Sequence, residues 1–219
     1  MNAACAAAKR PREAVQLLAV SKTFPAEAVL EAIAAGQLAF GENYLQEALD
    51  KIAAVAAAVP EARVEWHFIG PIQSNKTRPL AANFAWVHTV ERLKIAQRLS
   101  EQRPPDLPPL NVCLQVNISG EASKSGVAPA DLPELARQVA ALPHLRLRGL
   151  MAIPEPETDV LKQRAAFAQV RALFDRLNQD GFQLDTLSMG MSGDAAAAIA
   201  EGATIVRIGS AIFGERSYA

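Results

Sequence analysis

Short apolar runs alternate along this chain with longer segments whose apolar positions recur at helical spacing. The runs "QLLAVS", "LAFG", "VEWHFIG", "FAWVHTV", "LNVCLQVNI", "LRLRGLMAI", "LDTLSMG" and "TIVRIG" are too short for helices and rich enough in apolar residues for buried strands, eight in all. Between most of them stand amphipathic segments: "PAEAVLEAIAAG", "ENYLQEALDKIAAVAAAV", "ERLKIAQRLSEQ", "PADLPELARQVAAL", "VLKQRAAFAQVRALFDRLNQD" and "DAAAAIAEGA". Strand, helix, strand with short connections implies parallel pairing through right-handed crossovers. Eight such units in 219 residues predict an α/β fold with a single (β/α)8 TIM barrel. The rival, an open doubly wound sheet, lacks its G-x-G-x-x-G signature after the first strand and would leave edges to protect. The segment "SNKTRPLAAN" predicts only a short, poorly patterned helix, and "RPPDLPPL" an exposed loop. Residues 15–219 are assigned to the barrel, and residues 1–14 to a short N-terminal extension or truncated helix.

Charge narrows the choice of partner. Lys plus Arg number 22 against 23 Asp plus Glu, and no window concentrates basic residues, so neither nucleic acid nor an anionic membrane is expected. Cys5 and Cys113 lie far apart without metal-ligand or disulfide-framework spacing, which suits a reducing compartment. The alanine-rich N-terminus has its basic residues after the apolar patch, the reverse of a signal peptide, and no run reaches the roughly 18 apolar residues of a membrane span. A cytoplasmic protein is expected. No strand edge or apolar helix face demands a second copy, so the expectation is a monomer.

The first strand ends at a cation: in "QLLAVSKTFP", Lys22 follows the apolar run, and Thr23 is a candidate cap for the next helix. Barrel active sites are built at the C-terminal ends of the strands. If the strand runs from Leu17 to Ser21, the Lys22 ammonium points into the mouth. Partial desolvation there would lower its pKa and free the amine to attack a carbonyl, which is Schiff-base chemistry. A surface lysine snorkelling from a loop is the alternative.

The other end of the chain, "LSMGMSGDAAAAIAEGATIVRIGSAIFGER", bears on that choice. "MSGD" leaves the seventh strand and opens a helix, so Ser192 reads as its N-cap while Gly193 lets the backbone approach a ligand. After the eighth strand, Gly209 and Ser210 open a short final helix. Either motif alone could be an ordinary helix start. Two of them in the loops where such barrels commonly bind phosphate favour an anion seat. No Walker lysine follows, so a nucleotide is not required. The eighth strand neighbours the first in a closed barrel, which puts this seat and Lys22 in one mouth. A ligand with an aldehyde and a phosphate fits both: pyridoxal 5'-phosphate held as an internal aldimine on Lys22. Arg207, at the end of the eighth strand, could then donate to the pyridine nitrogen and weaken the ring as an electron sink; an ion pair in the mouth is the alternative.

The blocks "LLAVSKTFP", "FGENYLQEALDKI", "WHFIGPIQSNK", "VNISGEASKSGV", "RGLMAI" and the C-terminal stretch above resemble the YggS-like pyridoxal phosphate homeostasis proteins, over about residues 15–216. The resemblance implies a barrel of the alanine racemase N-terminal-domain type. It implies that Lys22 is the cofactor lysine, that Asn43 faces the cofactor, that Ser192, Gly209 and Ser210 cup its phosphate, and that Arg207 meets the ring nitrogen. It also implies storage or delivery of the cofactor, with transient visits to apo-enzymes, in place of catalytic turnover. Family members usually carry a longer helix before the first strand.

Other residues have plainer readings. His67 could line the mouth or be a hydrogen-bonded core histidine, and the three histidines have no metal-ligand spacing, so no metal is expected. Lys76 and Lys124 read as solvated loop cations, with an anion or partner role the alternative; Trp66 and Trp86 read as core. Three functions stay in view: a cofactor carrier, a pyridoxal-dependent racemase or related enzyme, and a barrel enzyme for a phosphorylated substrate. A two-base racemase needs a second acid/base on the opposite face of the substrate carbon, which alanine racemases take from a tyrosine outside the barrel. Tyr44, at a helix start, and Tyr218, near the end, do not fit that part, which favours the carrier.

Overall fold

A computed structural model describes residues 1–120 and 125–214 of the chain. Lys124 and Tyr218 lie outside the described residues. Every predicted apolar run forms a strand: β1 (Gln16–Val20), β2 (Ala39–Glu42), β3 (Glu65–Phe68), β4 (Trp86–Val90), β5 (Leu110–Gln115), β6 (Leu145–Met151), β7 (Thr186–Ser188) and β8 (Ile205–Ile208). They pair in sequence order, all parallel, and β8 closes on β1 with Leu18 opposite Arg207. The helices are α1 (Asn2–Ala7), α2 (Ala26–Ala34), α3 (Leu45–Ala58), α4 (Thr77–Asn83), α5 (Leu93–Gln102), α6 (Leu132–Ala140), α7 (Val160–Gln179), α8 (Ala195–Ala200) and α9 (Ser210–Phe213). The weakly patterned segment near residue 80 does form a helix, α4, which buries Thr77, Leu80 and Ala81 after a turn of 3-10 helix at Ser74–Lys76.

Strand alternation sorts the side chains into two environments. Ala19, Phe40, Val87, Val112, Leu114, Leu150, Leu187 and Val206 face outward and join helix residues such as Val29, Leu99, Val139 and Phe167 in the main core between wall and helices. That layer reads as a standard apolar barrel. The inward positions are mixed: apolar residues Leu18, Val20, Ala39 and Ile205 form one cluster, but His67, His88, Ser188 and Arg207 are buried as well. Parallel strands buried on both faces are normally apolar throughout, so this polar lining calls for a chemical explanation.

The first fourteen residues pack on the barrel. Cys5 is buried in the main core, and Arg10 donates to the carbonyls of Ile199 and Ala203 at the end of α8. Both cysteines are free thiols, and burial pushes Cys113 up to about 12, out of reach of thiolate chemistry. Among the described residues no helix is long and apolar enough to cross a membrane. At Gly70 a side chain is impossible, because a Cβ would stand 2.3 Å from the Asn43 carbonyl oxygen. That close approach sets the backbone of Asn43 at the mouth, and Thr89 fixes it from the other side by donating to the Gly70 carbonyl at 2.6 Å.

Candidate functional site

The six residues singled out from the sequence meet. Lys22, Asn43, Ser192, Arg207, Gly209 and Ser210 line one cavity of about 590 Å³ at the C-terminal end of the barrel, together with Gly193 and the apolar walls Val20, Ile69, Ile153 and Met191. That volume suits a small cofactor or metabolite. Ile153 and Met191 are 47% and 39% exposed, so the mouth is open to solvent.

Lys22 lies two residues beyond β1, on the inward side of the alternation that points Leu18 and Val20 into the barrel and Ser21 out of it. Its turn is held from outside. Buried Ser21 donates its hydroxyl to Glu42 at 2.6 Å, and Lys51 of α3, only 4% exposed, donates to the Ser21 carbonyl at 2.8 Å. Lys51 also pairs with Glu42 at 2.6 Å and Glu47 at 3.0 Å. Glu47 in turn accepts from the Thr23 backbone N–H at 2.6 Å. Thr23 therefore does not cap α2: that helix starts after Pro25 with no side-chain cap, and Thr23 sits at φ 68°, a conformation few β-branched residues adopt. The tether to Glu47 is what holds it there.

Ser192 is not an N-cap either. The cap of α8 is Asp194, whose carboxylate turns back to accept from the Met191 N–H at 2.6 Å, so Ser192 and Gly193 occupy the tip of a tight turn, exposed beside the cavity. Nothing lies within 4 Å of where a Cβ on Gly193 would stand. Gly209 and Ser210 open α9 as expected, and Ser210 is exposed on the cavity side. Asn43 brings a buried side-chain oxygen with no hydrogen-bond partner among the described residues.

Arg207 departs from the ion-pair alternative. Placed within β8 and only 4% exposed, it makes no ion pair among the described residues; its guanidinium donates to Ser188 Oγ at 2.8 Å and to the Ala152 carbonyl at 3.0 Å. Burial lowers its pKa to about 10, with Asp194 opposing, so it remains a cation at neutral pH. His67 resolves as a core histidine. Its Nδ1 lies 2.8 Å from His88 Nε2, its Nε2 lies 2.8 Å from Glu65 Oε1, and His88 Nδ1 lies 2.7 Å from Ser188 Oγ. Trp86 stacks on His67 at 5.3 Å and is itself covered by the Arg148 guanidinium at 4.5 Å. Trp66 is buried in the outer core as expected.

Sequence reasoning missed Ser188, His88, Lys51 and Glu42. The signal for the histidines lay in "EWHF" and "WVHTV", where alternation sends Glu65, His67, Trp86 and His88 to one face. Nothing in the local pattern of α3 marks Lys51, one helical turn from Glu47, as buried.

Burial lowers the pKa of both histidines, His88 well below its ordinary value, where the nearby Arg207 cation adds to the effect. Both are neutral at pH 7. The unfolded chain takes up protons near pH 6.5 while the folded one does not, so stability present above about pH 6.5 should fall as pH falls, by up to about 1.4 kcal/mol per pH unit for each histidine. Urea unfolding at about pH 7.5 and about pH 5.5 measures this; equal stability at the two would contradict neutral burial.

Comparison with known proteins places the chain. The alanine racemase N-terminal domain family matches residues 1–217. The pyridoxal phosphate homeostasis protein of Pseudomonas aeruginosa is 66% identical over 215 residues, covering 98% of this chain and 90% of that protein. The chain belongs to the pyridoxal phosphate homeostasis protein family. The Vibrio cholerae protein of the same name is 62% identical over 95% of this chain and 89% of its own. Among solved structures, PipY of Synechococcus elongatus with pyridoxal phosphate bound is 38% identical, covers 96% of this chain and 97% of its own, and superposes with a TM-score of 0.84. The family's barrel of the alanine racemase N-terminal type is the fold found here.

Proposed function

We infer that this protein binds pyridoxal 5'-phosphate at the mouth of its barrel and serves in cofactor homeostasis, holding the cofactor covalently on Lys22 and releasing it to enzymes that need it. The observation that carries the reading is the convergence of Lys22, Arg207, Ser192 and Ser210 on one cavity of about 590 Å³. Family membership supports it, and so does the bound cofactor of PipY.

The donor set fits the cofactor. Its carbonyl carbon needs an amine, which Lys22 offers; its phosphate needs hydroxyls and backbone N–H groups, which the turns at Ser192–Gly193 and Gly209–Ser210 offer; its ring nitrogen needs a donor, which Arg207 offers. Asn43, with its unpartnered oxygen, has an acceptor to give to the bound group. When bound, the cofactor supplies an electrophilic carbonyl and an electron-withdrawing ring. Arg207 stays protonated, so it presents a donor to the ring nitrogen and does not give that nitrogen its proton; the ring is left a weak electron sink.

We propose that the protein works without catalytic turnover. Tyr44 lines an adjoining cavity with Lys76 and Leu80 and is 54% exposed, a poor placement for an acid/base acting across Lys22. The open mouth suits release better than a reaction that must exclude water. Two buried free thiols agree with a reducing cytoplasm, and a monomer that meets apo-enzymes transiently completes the reading.

The test is a pair of titrations by absorbance. Charge-assisted hydrogen bonds contribute about 1.5 to 3 kcal/mol each, so pyridoxal should bind at least about tenfold more weakly than its phosphate. A circular-dichroism assay with L- and D-alanine on the same sample should show no loss of optical activity. Equal affinity for the two vitamers would remove the phosphate seat, and sustained racemisation would remove the carrier reading.

A further inference from the structure

The polar residues inside the barrel form one continuous line. It begins at Glu65, whose side chain is 41% exposed at the N-terminal end of the barrel, and passes through His67, His88 and Ser188 to Arg207 in the opposite mouth, with every link between 2.7 and 2.8 Å. Between those ends, His67, His88 and Ser188 are fully buried. Trp86, Cys113 and Met151 fill the surrounding interior.

The carboxylate end dictates the protons along the line. An ionised carboxylate only accepts, so His67 must donate to Glu65 from Nε2 and present a bare Nδ1. His88 must then donate from Nε2 to that Nδ1, which leaves its own Nδ1 bare. Ser188 must give its only hydrogen to His88, and its oxygen is then free to accept from Arg207, which only donates. Arg207 alone does not set the direction, since the Ser188 oxygen has room to accept from two donors. With both histidines neutral, the Glu65 carboxylate admits a single direction for the whole line, every donor pointing toward Glu65. The other charges nearby, the Arg148–Asp185 pair over Trp86 and Asp194 beside Arg207, stand outside it.

We propose that Glu65 is a remote positioning residue for Arg207: by fixing the direction of this hydrogen-bonded line it orients the guanidinium that faces the cofactor site from the other end of the barrel. The proposal rests on the reading of Arg207 as the partner of the ring nitrogen. Aligned hydrogen bonds polarise one another, so a carboxylate at one end strengthens the hold on the cation at the other. Glutamine at position 65 can donate as well as accept. It removes the constraint that forbids the reversed line, in which both histidines carry their hydrogen on Nδ1 and Ser188 no longer needs to turn its hydroxyl toward His88.

Nitrogen-15 NMR of the unmutated, cofactor-free protein is the first test: His67 and His88 should both be neutral with the hydrogen on Nε2. Either one cationic, or carrying its hydrogen on Nδ1, at neutral pH overturns the proposal. In Glu65→Gln the histidine signals should shift toward the other tautomer and the Arg207 side-chain signals should move; unchanged Arg207 signals overturn it. The cofactor arm uses a double-mutant cycle. Glu65→Gln should weaken pyridoxal phosphate binding about three- to tenfold and shift the bound absorption band, and it should add nothing once Ser188→Ala has cut the line, whereas independent structural effects would add. Additive losses overturn the proposal. A protein that binds no pyridoxal phosphate at all defeats the functional reading instead, and leaves the tautomers and the Arg207 signals to decide this one.

Discussion

Lys22→Ala is expected to abolish both the visible absorbance of bound pyridoxal phosphate and the lysine adduct trapped by borohydride, while the barrel stays folded. The covalent effect is all or none because it requires an amine within reach of the cofactor carbonyl, and Lys22 is the lysine lining the cavity with Arg207, Ser192 and Ser210. The fold should survive, since Lys22 is only half-buried at an open mouth. The contacts offered to phosphate and ring remain, so a weaker, reversible and colourless binding should persist, visible by calorimetry. Mass mapping decides the assignment. Lys76 is exposed and lines a different cavity, so a trapped adduct found mainly there, or on Lys124, would overturn it.

The second large effect is on stability. Lys51→Met should destabilise the protein by about 3 to 5 kcal/mol, the range found when one partner of a buried ion pair is removed. Lys51 gives its three hydrogens to the Ser21 carbonyl, Glu42 and Glu47, and among the described residues it is the only countercharge in contact with buried Glu42. Burial already pushes the Glu42 carboxyl up, with Lys51 opposing, and Glu42 Oε2 has no partner among the described residues. Without the ammonium a carboxyl is left buried against Ser21 alone. For a domain of this size the melting temperature should fall by roughly 6 to 20 °C. Lys51→Met combined with Glu42→Leu should recover much of the loss, because the double change removes the stranded carboxyl along with its partner. A loss below about 1 kcal/mol in Lys51→Met, measured by urea unfolding, would show that the pair is not what holds this corner. The consequence reaches the site. Ser21 and Thr23 flank Lys22, and both are anchored by this cluster, so the variant should also bind pyridoxal phosphate more weakly.

Much of the site was legible from local pattern. The apolar run that ends at Lys22, the small and hydroxyl-bearing residues at Ser192–Gly193 and Gly209–Ser210, and Arg207 in the last strand each carry their meaning within a few residues. Strand order brings them together, because β8 must lie beside β1 once eight parallel strands close. Local pattern misjudged finer geometry. Thr23 and Ser192 have the chemistry of caps, but α2 and α8 begin beyond them, after Pro25 and Asp194, because Glu47 draws the Thr23 backbone away and Asp194 folds back on Met191.

The sequence by itself determined the eight strand-helix units, their closure into a barrel, and the end of it at which Lys22 and Arg207 stand, because periodicity and chain order are properties of neighbours along the chain. Only the tertiary structure decided that Glu65, His67, His88, Ser188 and Arg207 make one line. They come from four strands, β3, β4, β7 and β8, and whether two inward side chains touch depends on the stagger between strands and the width of the barrel. The same holds for Lys51. A lysine one turn from a glutamate reads as a solvated pair, and it was the packing of α3 against the end of β1 that excluded water and made this pair a buried support for the site.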